Sequence, residues 1–215
     1  MKYLKSILQR LYPYGICRQG QAVYLTFDDG PIPEVTPKVL EILDRYDVKA
    51  TFFMVGENID KHPEVFAQVV KGGHAIGNHT YNHMKGWKVS TRTYMENVAK
   101  WEEAVQRNYP TIENRKSIIE NSHLFRPPYG RTWVWERKAV AAKGYRIYLW
   151  DVLTRDYNPR RTPEAMLAQI KRCTRPGSII NFHDSVKSNE RMLATLPKAI
   201  EWLLSQGYKL KTLDE

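Results

Sequence analysis

The chain has 215 residues, enough for one sizeable core and short for two. Its 42% hydrophobic and 26% charged residues are ordinary for a globular protein, and its only cysteines, Cys17 and Cys173, are too far apart to form a CxxC pair, which excludes a cysteine-based zinc site. A formal net charge of +10 favours anionic partners (acidic polymers, a membrane surface or nucleic acid), but no long Lys/Arg run concentrates it, so an evenly spread solvated charge is the simpler reading.

At the N-terminus, Leu4, Ile7, Leu8 and Leu11 have helical spacing, and Lys5 and Arg10 interrupt any apolar signal-like core. The expectation is a helical extension over residues 1–20, with neither an ordinary secretory signal nor a transmembrane span. Such a helix packs on the following domain or lies weakly on a membrane surface, so the expected compartment is cytoplasmic or peripherally membrane-associated. From residue 21 onward, apolar strands and amphipathic helices alternate. Val23-Tyr24-Leu25-Thr26-Phe27 reads as a buried strand. Thr36-Pro37 opens a helix ending near Tyr46, Ala50–Val55 is a second strand, and a helix from Pro63 stops at Gly72-Gly73. A short strand, His74–Gly77, precedes a helix capped by Ser90 and running to about Arg107; the polar stretch 110–122 reads as a loop. Then follow a strand at Leu124–Arg126, a helix from Trp133 to Lys143, a strand at Arg146–Trp150 and a helix from Thr162-Pro163. The strand Ser178–Phe182, a helix from Asn189 to Gln206 and a strand from Tyr208 to Leu213 complete the chain. This alternation predicts an α/β fold in one domain over residues 21–215: about seven parallel strands, closed or nearly closed into a barrel, with helices outside.

The polar motifs fall just after strands, where a barrel gathers side chains at one mouth. Asp28 and Asp29 end the first strand before the turn Gly30-Pro31. Neighbouring strand residues face opposite ways, so one carboxylate can bind a metal while the other serves as a base. His79 and His83 are four residues apart, a spacing that lets both imidazoles reach one ion. Two His and one Asp leave an open position on zinc, and such an ion lowers the pKa of bound water and polarises a carbonyl. His183, at the end of an apolar strand, is a candidate to protonate a leaving group.

Thr26-Phe27-Asp28-Asp29-Gly30, His79-Thr80-Tyr81-Asn82-His83, Arg126-Pro127-Pro128-Tyr129-Gly130, Asp156-Tyr157 and His183-Asp184 resemble, in the same order, the motifs of the polysaccharide deacetylase family, the family 4 carbohydrate esterases. The resemblance spans roughly residues 21 to 213. It implies a distorted (β/α) barrel, a divalent metal (zinc first, with cobalt or manganese as alternatives) and removal of acetyl groups from acetylated carbohydrate. By resemblance Asp28 is the base, Asp29, His79 and His83 are the metal ligands, and His183 is the acid. Arg126 holds the base carboxylate, Asp156 orients His183, and the Tyr129 backbone N–H stabilises the oxyanion. The expected partner is an N-acetylglucosamine-containing polymer or oligomer such as peptidoglycan or chitin; nucleic acid is not expected, and the oligomeric state is open.

Two positions depart from the family pattern. Leu153 stands where the family commonly has the first Asp of Asp-x-x-Asp-Trp, and Tyr157 replaces its Trp. Asn181 stands where the family has a Leu lining the acetyl-methyl pocket, so that pocket is either less apolar or lined by Phe182 or Tyr157. Trp87, Trp133 and Trp135 are read either as sugar-stacking or as groove-wall residues, with Trp87 the first candidate for a sugar. Lys85, Lys88 and Arg92 suit an anionic polymer or a solvated face. His74 is expected to be structural, His62 a surface residue and His123 a loop residue, with Asp151 and Asp184 fixing loops. Three alternative functions stay open: an amidase on a small cyclic amide, an O-acetyl esterase on xylan-like sugars, and an inactive binder of envelope glycan.

Overall fold

The computed structural model describes residues 21–109 and 123–214. The expected N-terminal helix over 1–20 and the loop over 110–122 lie outside the described residues. Strand β1 (Ala22–Asp28) is buried along its whole length. It is followed by α1 (Thr36–Arg45), β2 (Thr51–Met54), α2 (Gly56–Lys61), α3 (Pro63–Lys71), β3 (Ala75–Asn78) and α4 (Thr91–Asn108). Beyond the undescribed stretch come β4 (Leu124–Phe125), α5 (Val134–Ala142), β5 (Arg146–Ile147), β6 (Val152–Leu153), α6 (Pro163–Cys173), β7 (Ile179–His183), α7 (Asn189–Ser205) and β8 (Lys209–Lys211). Short 3-10 turns cover Gly86–Lys88 and Pro128–Gly130.

The strands run in the order β5-β4-β3-β2-β1-β7-β6, with β8 also paired to β1, and every pairing is parallel. This is the distorted β/α barrel, curled but open: among the described residues no pairing joins β5 to β6. Among the described residues the sheet has eight strands, in keeping with the about seven expected. The run Arg146–Trp150 forms a ladder only at Arg146–Ile147, because the next carbonyls turn elsewhere: Tyr148 O accepts from Arg126 Nε and Leu149 O from Arg126 Nη2, each at 3.1 Å. The chain then crosses to the other end of the sheet as β6. Helix α2 was not expected either, since only Gly56 and Ile59 of its six residues are buried and no apolar period announces it.

Alternation along β1 divides the core. Val23, Leu25 and Phe27 face the helices, with Phe52, Met54, Ile76, Ile180 and Phe182 from neighbouring strands. Ala22 and Tyr24 face the barrel interior with Phe53, Leu124, Tyr148 and Ile179. Towards the C-terminal end of β1, the interior-facing positions turn polar: Thr26, then Asp28. Phe27 forms the centre of the helix-side layer, stacked at 5.0 Å on Phe52 and 5.8 Å on Phe182. No described helix is long and apolar enough to cross a membrane.

Phe182 is fully buried in this layer. Phe182→Ala is expected to destabilise the fold by about 3–5 kcal/mol through lost burial and a residual cavity, measured as a shift of the urea midpoint at unchanged m-value.

Candidate active site

The end of β1 separates its two carboxylates. Asp28 keeps strand geometry and is buried, paired in register with Phe53 of β2 and His183 of β7. Asp29 adopts a left-handed backbone (φ 86°), unusual for a residue with a side chain, which turns its carboxylate towards the β3 loop. Its backbone is held by Phe53 O, which accepts its N–H at 3.3 Å, and by Asn58 Nδ2, which donates to its carbonyl at 2.7 Å. The next residue has to be glycine. A Cβ on Gly30 would lie 2.0 Å from Asp184 Oδ2, and the Gly30 N–H donates to Asp184 Oδ1 at 3.0 Å. Thr36 also donates to Asp184 at 2.6 Å. Asp184 therefore pins the turn, and burial pushes its carboxyl up to about 8 despite these two donors.

The histidines sit on a loop shaped by side chains rather than by helix geometry. Thr80 and His83 are both left-handed (φ 64° and 55°). Asn78 Oδ1 accepts the Thr80 N–H, Asn97 Oδ1 accepts that of Tyr81, and Thr80 Oγ1 accepts that of Met84. Asn97 lies among the buried Tyr94, Val98 and Trp101 of α4, and a polar residue on that stripe was the signal that would have found it. The carbonyl of Arg126 lies 2.7 Å from His79 Nδ1. A carbonyl can only accept, so Nδ1 carries the proton and the Nε2 lone pair is left to face Asp29.

His79 Nε2 and His83 Nε2 lie 3.7 and 3.3 Å from Asp29 Oδ1. That oxygen is buried without a hydrogen-bond partner. Ligand atoms of the three residues lie within 4.8 Å of one another. Burial holds His79 below its usual value; burial and the neighbouring His79 bring His83 down to about 4. Two neutral imidazoles and a carboxylate oxygen with no donor of its own are the set a divalent cation takes, with room left for substrate or water. The residues present fit such an ion.

Asp28 lies beside this cluster. Burial alone would raise its carboxyl, but the charge of Arg126, with His79 and His183, holds it below the usual carboxylate value. Arg126 Nη1 donates to Asp28 Oδ1 (2.6 Å), Asn181 Oδ1 (2.6 Å) and Thr26 Oγ1 (2.9 Å). Asn181 Nδ2 in turn donates to Asp28 Oδ2 at 3.1 Å. Asn181 is fully buried, its amide satisfied by this network. Phe182 belongs to the helix-side core, so the expectation that it lines a substrate pocket is corrected: the β7 alternation that turns Asn181 inward turns Phe182 away.

His183 is held by Asp156, whose Oδ1 lies 2.8 Å from His183 Nδ1 and whose Oδ2 accepts the His183 N–H at 2.7 Å. Arg191 Nε, from α7, donates to the Asp156 carbonyl at 2.8 Å; nothing in the sequence marks this contact. Burial lowers the His183 pKa, but the hydrogen bond and charge of Asp156, with Asp28 and Asp29, outweigh it and raise it to about 9. Tyr157 stands edge-on to His183 at 5.0 Å, and Leu153 lies in β6. Tyr129 is left-handed (φ 62°), with its ring 4.6 Å from His83, and Trp87 meets it edge-on at 5.3 Å. The site thus gathers a metal-fitting triad, an ionised carboxylate and a protonated imidazole. His74 lies apart, its Nδ1 accepting the Ala50 N–H at 3.2 Å; His123 is exposed, and Asp151 accepts the Ile179 N–H.

A family model described as polysaccharide deacetylase matches residues 15–148. A peptidoglycan-N-acetylglucosamine deacetylase of Bacillus cereus is 32% identical over 198 residues, covering 90% of this chain and 86% of that protein. A chitooligosaccharide deacetylase of Azorhizobium caulinodans is 34% identical over 210 residues, covering 92% and 95%. Among solved structures, the Bc1960 peptidoglycan N-acetylglucosamine deacetylase, in complex with a naphthyl-N-oxidanyl-benzamide, superposes with a TM-score of 0.84 at 31% identity, covering 93% of this chain and 89% of that one.

The raised His183 pKa sets a stability dependence with a definite sign. The folded state binds this proton more tightly than the unfolded chain. The stabilisation is therefore complete below the ordinary 6.5 and is lost as pH rises through about 9. Between those limits the wild type is expected to lose more stability than Asp156→Asn, as read from urea denaturation at stepped pH.

Proposed function

Because the chain belongs to the polysaccharide deacetylase family, the family 4 carbohydrate esterases, we propose that it hydrolyses the N-acetyl group of N-acetylglucosamine units in a glycan, releasing acetate and a free amine. The observation that carries this reading is the register of β1 against β7, which sets Asp28 beside His183 with the Asp29, His79 and His83 cluster adjoining. Asp29, His79 and His83 would hold the ion, and a divalent cation such as zinc supplies Lewis-acid polarisation and acidifies water. Asp28, kept ionised by Arg126, takes the proton from the attacking water. His183, kept protonated by Asp156, gives a proton to the nitrogen as the C–N bond breaks. Arg126 and Asn181 fix the base from both carboxylate oxygens. The Tyr129 N–H is assigned to the oxyanion, an interaction of the kind that often contributes the largest share of catalysis. Tyr157, against His183, is assigned to the wall that receives the acetyl group.

Acetate release from chito-oligomers, peptidoglycan and acetylated xylan, with zinc or cobalt supplied, tests the reading. Release is expected from an N-acetylated substrate, falling about 100- to 10,000-fold in Asp28→Asn and in His183→Asn. Silence on every N-acetylated substrate by metal-loaded wild type would overturn it.

Chelation is expected to abolish release and readdition of zinc to restore it. His83→Ala should weaken zinc binding, followed by chelator competition, by more than the about 10–100-fold that loss of an outer contact costs. Unchanged affinity in that variant would remove His83 from the ligand set.

A further inference from the structure

The loop that carries His79 and His83 is held from α4 in two ways. Asn97 accepts the Tyr81 N–H directly, at 2.9 Å. The second hold is indirect and reaches the loop through Asn78, the last residue of β3. Asn78 is fully buried. Its Oδ1 accepts the Thr80 N–H at 2.8 Å. Its Nδ2 donates to the Val98 carbonyl at 3.1 Å and to the Tyr145 hydroxyl at 3.0 Å. Both amide hydrogens are therefore engaged, and the amide oxygen is left for Thr80.

The direction of these bonds is set at their far end. Tyr145 is buried, its ring 5.7 Å from Phe125, the residue that pairs in register with Asn78. Its hydroxyl lies 2.8 Å from Glu102 Oε1. Burial raises the pKa of the phenol, so the hydroxyl keeps its proton. Glu102, ion-paired with Lys143 through Oε2, can only accept. The Tyr145 proton thus points to Glu102, and its oxygen accepts from Asn78. Glu102 and Val98 stand one turn apart on α4, so both partners of the Asn78 nitrogen trace to one face of that helix. A phenylalanine would fill the same apolar space among Val98, Phe125 and Val140; only the hydroxyl bond calls for a tyrosine.

Thr80 is where this orientation matters. It lies between the two histidines with a left-handed backbone (φ 64°), and its Oγ1 accepts the Met84 N–H at 2.9 Å. A residue with a side chain keeps that conformation only where its surroundings over-determine it. An Asn78 amide left with an unpaired buried N–H is freer to rotate, and rotation takes Oδ1 away from the Thr80 N–H.

We propose that Tyr145 is a positioning residue for the metal-fitting cluster: its hydroxyl, directed by Glu102, holds Asn78 in the orientation that fixes the turn between His79 and His83. This role rests on the reading of Asp29, His79 and His83 as a metal centre.

Tyr145→Phe keeps the ring and removes the hydroxyl. In metal-free protein the Thr80 N–H is expected to exchange about tenfold faster than in wild type, as followed by NMR. Zinc affinity, by chelator competition, should fall about tenfold, the low end for loss of an outer contact. The visible absorption band of cobalt-loaded protein should shift, because ligand geometry sets it. Glu102→Leu should match Tyr145→Phe, and Glu102→Gln, which keeps an acceptor oxygen, should restore most of the loss. The double variant of Glu102→Leu and Tyr145→Phe should be no worse than Tyr145→Phe alone, since both act through one hydroxyl. Val140→Ala, in the same buried cluster but outside this set of hydrogen bonds, should lower the urea midpoint while zinc affinity and the cobalt band stay as in wild type. Unchanged Thr80 exchange and zinc affinity in Tyr145→Phe, or an equal loss of affinity in Val140→Ala, would overturn the proposal and leave the metal centre standing. Wild type that takes up neither zinc nor cobalt, with the Thr80 amide still released by Tyr145→Phe, would keep the brace on the loop and sink the metal centre.

Discussion

Arg126 is a cation with no exposed surface, and the site is built around satisfying it. An unpaired charge at that depth would be strongly destabilising, so every donor must meet an acceptor. The acceptors come from widely separated parts of the chain: Thr26 and Asp28 on β1, Asn181 on β7, and the Tyr148 and Leu149 carbonyls beyond β5. The guanidinium also lies 4.0 Å over the Phe53 ring. One side chain thus ties both flanks of the sheet to its centre. Its charge orients the Asn181 amide, oxygen towards the guanidinium and nitrogen towards Asp28. Its own carbonyl fixes the tautomer of His79. The requirement that stabilises the barrel interior is the one that sets the protonation states at its mouth.

Around that fixed point the loops accept backbone strain for placement. Asp29, Thr80, His83 and Tyr129 all have positive φ, a conformation that side chains disfavour. Each is held by neighbours: Asn58 for Asp29, Asn78 and Asn97 for the histidine loop, and Pro128 and Gly130 flanking Tyr129. The strain separates the two adjacent carboxylates, leaving Asp28 with Arg126 and sending Asp29 to the histidines.

Much of this was legible in the residues. Apolar period and turn chemistry place most helices and strands, since burial and capping are local signals. The strand-end acids and histidines are legible because a parallel barrel brings its strand ends to one mouth. Contacts between a side chain and distant backbone were not legible. Leu149 reads as strand because nothing local shows that its carbonyl serves Arg126. Arg191 reads as an ordinary helix residue, although it braces Asp156. Asn181 stands out as polar in an apolar strand, but its partners appear only once β1 and β7 are in register. Nothing local marks Glu136, in the first turn of a helix, as buried, since its burial depends on how Gly86 lies against it.

The pairing of Asp28 with His183 joins the first strand to the seventh, and this bears on how the protein is made. The three residues that fit an ion are all synthesised once the chain passes His83, whereas Arg126, whose carbonyl holds His79, and the strand leading to His183 and Asp184 emerge later. A nascent chain thus carries Asp29, His79 and His83 well before the groups that set their geometry can take their places. Assembly of the whole site is accordingly a property of the nearly finished polypeptide, and a product truncated before β7 lacks both the strand that pairs with β1 and the carboxylate that pins the turn after Asp29.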